Sequence, residues 1–381
     1  MSAAIKANGF IRTVVAELAL IVGVITTIIF FTVGKPWLAD LDNLAWLIVM
    51  FVWLFGVMIW CAFGVVRHAD ALAELLGEPY GTLILTISVI SIEVTIMATI
   101  MLSGNGNPTL PRDTMFAILM IVLNGMVGLA LVLGALRHLQ QEYNLQGATA
   151  YLAVISPLAV IALVVPEFTQ STVDPTFTIP QAITFGLLTA LLYGAFVLIQ
   201  TTRHRAFFRE QTRSSIPLEY PLRWERAPGE TRSVAFHGAL LLASLLPVIL
   251  LSKPLATLLD FGIENLGMPA ALGGILIAIL VLSPEGVAAI KAAAANHLQR
   301  AVNLSLGSAL STIGLTVPVV LAISVITGAP LELGLGQTEI VLLALTLFVC
   351  KMTFSGAPTN ILLGFVHLVL FLAYLALVFQ P

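Results

Sequence analysis

Two glutamates, Glu93 and Glu285, each lie in an apolar stretch about as long as a bilayer is thick. The stretches cover 81–102, GTLILTISVISIEVTIMATIML, and 273–292, GGILIAILVLSPEGVAAIKA. An ionised carboxylate at the bilayer centre costs at least about 2.5–3.5 kcal/mol, so it must be paired, protonated or bound to a cation. No lysine or arginine lies centrally in a span, and Lys351, the nearest, is close enough to an end to snorkel. The pattern therefore predicts cation and proton binding rather than a permanent salt bridge.

Two facing carboxylates are neutralised equally well by two protons or by one divalent cation. Because a low dielectric disfavours the charged acids, protons and cations compete for the same oxygens. This shared neutralisation is a physical basis for obligatory exchange, with Glu93 and Glu285 as the metal ligands. Hard cations such as Ca²⁺ take six to eight oxygens, so other groups must complete the shell.

The first stretch offers hydroxyls near Glu93. On a regular helix Thr82 and Thr86 fall within about 20° of Glu93, at roughly 100° per residue. Ser91 precedes Glu93 by two residues, as Ser283 precedes Glu285. We expect all three hydroxyl residues of the first stretch to face the cation.

The second stretch contains a proline directly before its acid. Pro284 removes an N–H, leaves the carbonyl of Leu280 without its donor and disfavours helical geometry at Ser283. A broken helix at membrane depth is tolerated where it lines a cavity or packs in protein. The sequence predicts such a break, with the Leu280 carbonyl and Ser283 facing the ion.

The helix after each acidic stretch is rich in small and polar residues, LNGMVGLALVLG (123–134) and NLSLGSALSTIGLTVP (303–318). These residues offer further oxygens, but they equally suit close helix packing, which uses Gly, Ser and Ala in membranes. Both interpretations stay open for Asn124, Ser308, Ser311 and Thr312.

An internal repeat relates the two stretches. A shift of 192 residues superposes Glu93 on Glu285, Ser91 on Ser283 and Gly81 on Gly273. Five spans per repeat is an odd number, so the two copies run in opposite directions through the membrane. Inverted repeats with a site at the midplane are typical of secondary transporters. Chance similarity between apolar helices is the alternative, which the shared acid disfavours.

Composition identifies the class of protein. Of 381 residues, 59% are hydrophobic and 10% are charged, against roughly 25% charged in soluble domains. We predict an all-α polytopic membrane protein with about eleven transmembrane helices: one extra N-terminal helix plus two inverted five-helix repeats. The expected spans are roughly 11–33, 44–66, 81–102, 114–136, 149–167, 180–201, 233–252, 269–292, 301–326, 339–354 and 359–379.

The corresponding units are an N-terminal segment (1–43), a first repeat (44–201), a cytoplasmic linker (202–232) and a second repeat (233–381). With the N-terminus inside, all but three of the 17 basic residues fall on inner segments, which predicts a cytoplasmic N-terminus and an external C-terminus. The arginine-rich linker suits a cytoplasmic surface next to anionic lipid. The net charge of −3 gives no indication of a nucleic-acid partner.

Four runs resemble the cation/proton exchanger branch of the calcium/cation antiporter superfamily, in its bacterial members. They are RHADALAELLGEPYGTLILTISVISIEV (67–94), SPEG with LGSALSTIGL (283–286, 306–315), LLYGAFVLIQTTRHRAFF (191–208) and SGAPTNILLGFVHLVLFLAYL (355–375). The resemblance implies an eleven-span antiporter of the bacterial inner membrane that exports Ca²⁺, or Na⁺ or K⁺, against protons. Its two repeat acids correspond to Glu93 and Glu285. Many relatives carry Gly-Asn before this acid, where this chain has Ser91-Ile92 and Ser283-Pro284.

Two other functions, an intramembrane enzyme and a passive cation channel, fit the sequence less well. An intramembrane enzyme needs a nucleophile and base or a metal set, and the sequence contains no HExxH, GxSxG or phosphate-binding Gly-Lys motif. A passive cation channel can use paired acids but does not need an inverted repeat. A Na⁺(K⁺)/H⁺ antiporter selective for monovalent ions remains the main alternative, and no cofactor is expected. The sequence leaves open whether Glu17, His237 or His367 takes part in proton transfer, as well as the oligomeric state.

Overall fold

The protein is helical throughout the part of the chain that the structure describes. This computed structural model covers residues 15–76, 80–102, 107–208, 233–356 and 358–380. Within these ranges the only extended pairing is an isolated bridge between Gln141 and Thr359. The predicted all-α class is therefore confirmed.

Twelve helices can be followed in the described ranges. In chain order they are α1 Leu18–Thr32, α2 Gly34–Ala39, α3 Leu44–Leu76, α4 Tyr80–Leu102, α5 Leu110–His138, α6 Leu145–Phe168, α7 Ile179–Thr201, α8 Val234–Leu266, α9 Ala270–Ala294, α10 Leu298–Thr327, α11 Gln337–Thr353 and α12 Ile361–Phe379.

Eight of these described helices are long and apolar enough to cross a membrane. Two shorter apolar helices, Leu18–Thr32 and Ile87–Leu102, add to them. The protein is thus polytopic, as its composition predicts, whereas the number of eleven crossings stays a prediction.

The first helix of each predicted repeat is longer than its apolar segment. Spans expected at 44–66 and 233–252 are the helices Leu44–Leu76 and Val234–Leu266. The leucine-rich segments that follow these spans, at 69–76 and 256–266, therefore continue the helices instead of forming separate elements. Both helices have 33 residues, and they pack against each other over much of their length.

The third helix of each predicted repeat contains a π-helical segment near its middle. In α5 this segment is Ile121–Met126, and in α10 it is Thr312–Thr316. A shift of 192 residues moves the first segment to 313–318, which overlaps the second segment. A π turn changes the register of the side chains that follow it, and such turns are frequent at functional sites.

Helices α4, α5, α9 and α10 meet in the interior of the bundle. Helix α5 is almost completely enclosed, with every residue from Thr114 to Met120 buried. Close approach of α9 to α5 depends on Gly274, where a Cβ would lie 2.6 Å from the Asp113 carbonyl carbon. Small residues at such contacts let membrane helices pack closely.

The proposed division into units at 43, 201 and 232 stays a prediction. Most of the linker, residues 209–232, lies outside the described chain. Helix α7 ends at Thr201 and helix α8 begins at Val234, and both residues are close to the predicted boundaries.

Candidate functional site

Glu93 lies on α4 with only 2% of its surface exposed. Thr312 Oγ1 donates to its Oε2 at 2.8 Å, and Thr316 Oγ1 donates to its Oε1 at 2.7 Å. Both threonines belong to the π-helical segment of α10 and are buried. Each carboxylate oxygen thus has a hydroxyl donor, and no ion pair of Glu93 is seen among the described residues.

Glu285 lies on α9 and is half-buried. Its Oε2 accepts a hydrogen bond from Ser308 Oγ, again on α10. Ser308 and Thr312 are four residues apart, so they occupy the same face on consecutive turns. One helix therefore supplies hydrogen-bond donors to both acids.

The serine two residues before each acid is hydrogen-bonded to the backbone of its own helix. Ser91 Oγ donates to the carbonyl of Ile87 at 2.6 Å, and Ser283 Oγ donates in the same way to the carbonyl of Ile279. The two copies of the repeat therefore behave alike at this position. In this structure neither hydroxyl is hydrogen-bonded to a glutamate, so their role as ligands stays a prediction.

The prediction of a helix break at Pro284 is wrong. Helix α9 is continuous from Ala270 to Ala294, and Pro284 is buried inside it. A proline removes one hydrogen bond, and neighbouring helices can support the helix across that gap. Leu280 is buried and its carbonyl still lacks an N–H donor at Pro284, so its ligation of a cation stays a prediction.

Asn124 and Ser311 do not contact either acid through hydrogen bonds. Asn124 Nδ2 donates to Thr346 Oγ1 at 2.8 Å, and His367 Nδ1 lies 3.3 Å from Asn124 Oδ1. Ser311 Oγ donates to the carbonyl of Ser308 at 3.0 Å. The side chains of Thr82 and Thr86 lie outside the described part of the structure.

Thr316 is the site residue that the sequence reasoning missed. Two signals pointed to it. It follows Thr312 by four residues, and the 192-residue shift superposes it on Asn124. Its hydroxyl extends the row that begins with Ser308 and Thr312.

Glu17 and His237 belong to a separate cluster where α1 and α8 begin. Glu17 Oε2 accepts from Arg67 and lies 3.1 Å from His68 Nε2, and His68 Nδ1 lies 3.1 Å from His237 Nδ1. Arg67 also donates to the carbonyl of Ala16. The basic partner of Glu17 is thus Arg67, on α3.

The site offers oxygen ligands only. Within the described residues no group of three or more His, Cys, Asp or Glu side chains is placed to hold a metal. Two carboxylates and three hydroxyls are instead grouped on α4, α9 and α10. If both carboxylates bind through both oxygens, these groups supply seven oxygens, within the range that Ca²⁺ takes.

The sequence matches the family described as "Sodium/calcium exchanger protein" over residues 46–202 and 236–380. The two matched ranges include all the helices that carry the acid pair and its hydroxyls.

Two curated proteins illustrate the range of relatives. The sodium-potassium/proton antiporter ChaA of Escherichia coli is 39% identical over 98% of this chain and 99% of its own length. A Ca²⁺/H⁺ antiporter of Aphanothece halophytica is 24% identical over 67% of this chain and 70% of its own length.

Among solved structures, the Ca²⁺/H⁺ antiporter YfkE has the same fold. The superposition has a TM-score of 0.72 at 19% identity, and it covers 96% of this chain and 99% of YfkE.

Proposed function

The chain belongs to the sodium/calcium exchanger protein family and exchanges cations for protons, and we propose that Glu93 and Glu285 are the shared binding site. The observation that carries this proposal is the row of hydroxyls on α10, which links the two acids. Transport rather than chemical conversion is the activity of this family's antiporters, so the protein is not an enzyme.

We infer that exchange depends on charge neutralisation in the interior of the bundle. The acids have no basic partner among the ion pairs of the described residues. They can be buried together when two protons or one divalent cation compensates their charge. With neither ligand bound, the repulsion between the acids disfavours closure of the site around them. The protein then changes its open side only when loaded with protons or with a cation.

The hydroxyls serve both loaded states. A hydroxyl can donate to a carboxylate and can also offer its lone pairs to a cation. Ser308, Thr312 and Thr316 therefore stabilise the acids between transport steps and coordinate the cation when it arrives. Rotation about one or two side-chain bonds is enough for the change.

Alternating access is proposed to follow from the inverted repeat. If the two halves exchange conformations, a site between them opens first to one side and then to the other. Two observations support the repeat: the matched π-helical segments of α5 and α10, and the matched hydrogen bonds of Ser91 and Ser283.

Ca²⁺ is the first candidate for the transported cation, with Na⁺ and K⁺ as further substrates. The seven available oxygens and two negative charges suit a divalent cation. A monovalent-selective Na⁺(K⁺)/H⁺ antiporter is the second candidate, because the Escherichia coli relative with this substrate class is similar over almost the whole chain. In that case the second carboxylate keeps a proton when Na⁺ or K⁺ binds.

The protein is a multi-pass protein of the bacterial inner membrane, and we propose a cytoplasmic N-terminus and an external C-terminus. The distribution of basic residues supports this orientation. Cations, protons and the lipid bilayer are its expected partners.

Reconstituted vesicles test the proposed function. A pH gradient is imposed, and Ca²⁺, Na⁺ or K⁺ is added while the internal pH is followed with a fluorescent dye. Antiport predicts that at least one cation dissipates the gradient. A gradient that no cation changes, or cation flux that is independent of protons, contradicts antiport, and the second result indicates a channel.

A further inference from the structure

A chain of buried polar side chains connects α12 and α11 to the π-helical segment of α5. His367 is completely buried on α12, where its Nε2 lies 2.9 Å from Thr353 Oγ1. Its Nδ1 lies 3.3 Å from Asn124 Oδ1. Asn124 Nδ2 in turn donates to Thr346 Oγ1 at 2.8 Å.

The hydrogen-bond partners are satisfied by one arrangement of protons on these side chains. Asn124 Oδ1 is an acceptor, so His367 carries its proton on Nδ1 and accepts at Nε2 from Thr353. Thr346 accepts from Asn124, and its own proton points to Met120 Sδ at 3.6 Å. The Asn124 amide is thus held at both ends by groups from α11 and α12.

Asn124 occupies a position that matters for the acid pair. It lies 192 residues before Thr316, the same shift that separates the glutamates, and Thr316 donates to Glu93. The π-helical segment of α5 packs against α9 and α10 on one side and against α11 and α12 on another. The segment that carries Asn124 therefore packs both against the helices of the candidate site and against the helices of Thr346 and His367.

We propose that Thr346 and His367 are positioning residues that hold the Asn124 amide away from the acid pair and so keep cation binding weak enough for release. The inference rests on the proposed exchange function and adds two residues that do not contact the cation themselves.

The physical reason is the cost of an unpaired buried polar group. If Thr346 loses its hydroxyl, the buried Asn124 Nδ2 keeps only the sulfur of Met120 as an acceptor, 3.8 Å away, so the amide is held less firmly and can turn. On the other side of the segment, the candidate site offers carboxylate oxygens and the cation. An amide oxygen is a suitable ligand for a hard cation, so the released side chain adds to the coordination shell.

The test is direct cation binding by the purified full chain. Isothermal titration calorimetry with Ca²⁺, Na⁺ and K⁺ gives Kd for the wild type and for Thr346→Val, which keeps the side-chain shape. One hydrogen-bond energy corresponds to a decrease in Kd of about fivefold for whichever cation binds. In vesicles the same variant should show a lower KM and a lower maximal rate, because release becomes slower.

Two controls separate positioning from general damage. Thr346→Ser keeps the hydroxyl and should restore the wild-type Kd. Thr189→Val removes a buried hydroxyl that bonds only the Phe185 carbonyl of its own helix, and it should leave Kd unchanged. His367→Leu frees the other end of the amide and should lower Kd as Thr346→Val does, whereas His367→Asn keeps a donor near the Nδ1 position.

A double variant gives the decisive comparison. In an Asn124→Ala background, Thr346→Val should produce no further change in Kd, because the amide through which it acts is gone. An unchanged or higher Kd in Thr346→Val, or an effect that persists without Asn124, overturns the inference. If the wild type shows no exchange in vesicles, that result contradicts the proposed function instead, since the binding measurement does not depend on transport.

Discussion

Glu93 and Glu285 are hydrogen-bonded to hydroxyls on consecutive turns of a single helix. Thr312 donates to Glu93 and Ser308 donates to Glu285, and the two hydroxyl residues are four positions apart on α10. A movement of α10 therefore changes the surroundings of both acids at once. In the proposed mechanism, this coupling lets the site give up protons and accept a cation in a single step.

The two halves contribute unequally to the site. Glu93 has two hydroxyl donors and is 2% exposed, whereas Glu285 has one such donor and is half-buried. At the position equivalent to Ser308 the first repeat has Phe116. In this structure Glu285 thus keeps more exposed surface than Glu93.

Thr316→Val should weaken cation binding. Loss of one hydroxyl leaves a Glu93 oxygen without its donor, which costs about 1–3 kcal/mol and disfavours the ionised acid. The KM for the cation should increase about tenfold, most strongly at acid pH, where protons compete best. Initial exchange rates at several pH values measure this effect.

A control for Thr316→Val is available on the same helix. Thr327 donates to the carbonyl of Ile323 and accepts from the Ala329 N–H, and it bonds to neither acid, so Thr327→Val should leave KM within about a factor of two. Equal KM values for both variants and the wild type would show that the α10 hydroxyl does not act on Glu93.

Ser308→Ala and Ser311→Ala form a matched pair. Ser308 donates to Glu285, whereas Ser311 donates to the backbone carbonyl of Ser308. Ser308→Ala should increase KM about tenfold, and Ser311→Ala should have a smaller effect. The comparison is made by cation titration of exchange in vesicles, and the reverse order would contradict the assigned hydrogen bonds.

Gly274→Ala should prevent correct packing of α9 on α5. The added Cβ would lie 2.6 Å from backbone atoms of Asp113 and Thr114, which cannot move as a flexible side chain does. Because α9 carries Glu285, we expect a large loss of folded protein and of exchange. A Cβ added at Gly238 would meet no atom of the described residues within 4 Å, so Gly238→Ala is the control. Size-exclusion profiles of the two variants measure the outcome, and a normal profile for Gly274→Ala contradicts the close packing.

Glu17→Gln should loosen the start of α1 without changing the cation site. The side chain is 11% exposed and pairs with Arg67 and His68, so the neutral amide removes the charge that holds these groups. The ion pair is partly open to solvent, so the expected cost is about 1 kcal/mol. Thermal unfolding in detergent should show a Tm a few degrees lower, while the KM for the cation stays at the wild-type value. An altered KM would assign Glu17 a role in transport.

Hydropathy was sufficient to predict the class of fold, and the cost of buried charge singled out the two acids that the hydroxyls of α10 contact. The predicted spans of α3 and α8 end before the helices do. In α3 the reason is that charged residues such as Asp70 and Glu74 lower the hydropathy without ending the helix. A helix continues where its backbone remains bonded, whatever the polarity of its last turns.

The ligand set was harder to predict because it depends on side-chain direction. A constant angle per residue, which relates Thr82 and Thr86 to Glu93 on α4, does not hold across the π-helical segments of α5 and α10. Asn124 donates to Thr346 and lies next to His367. In the repeat, however, its position corresponds to that of Thr316, which donates to Glu93. Thr316 belongs to another helix than Glu93 and is 223 residues away, so no local pattern connects the two.

The central claim is that the two glutamates form one site, and substitution of each acid by its isosteric amide tests it most directly. Glu93→Gln and Glu285→Gln are reconstituted at equal density, with Glu332→Gln, in the connection before α11, as the control. Exchange is then measured as cation-dependent dissipation of a pH gradient. Either variant at the site should reduce the rate at least about a hundredfold, since a single carboxylate cannot alternate between the two neutralised states. Full exchange by both site variants would contradict the central claim.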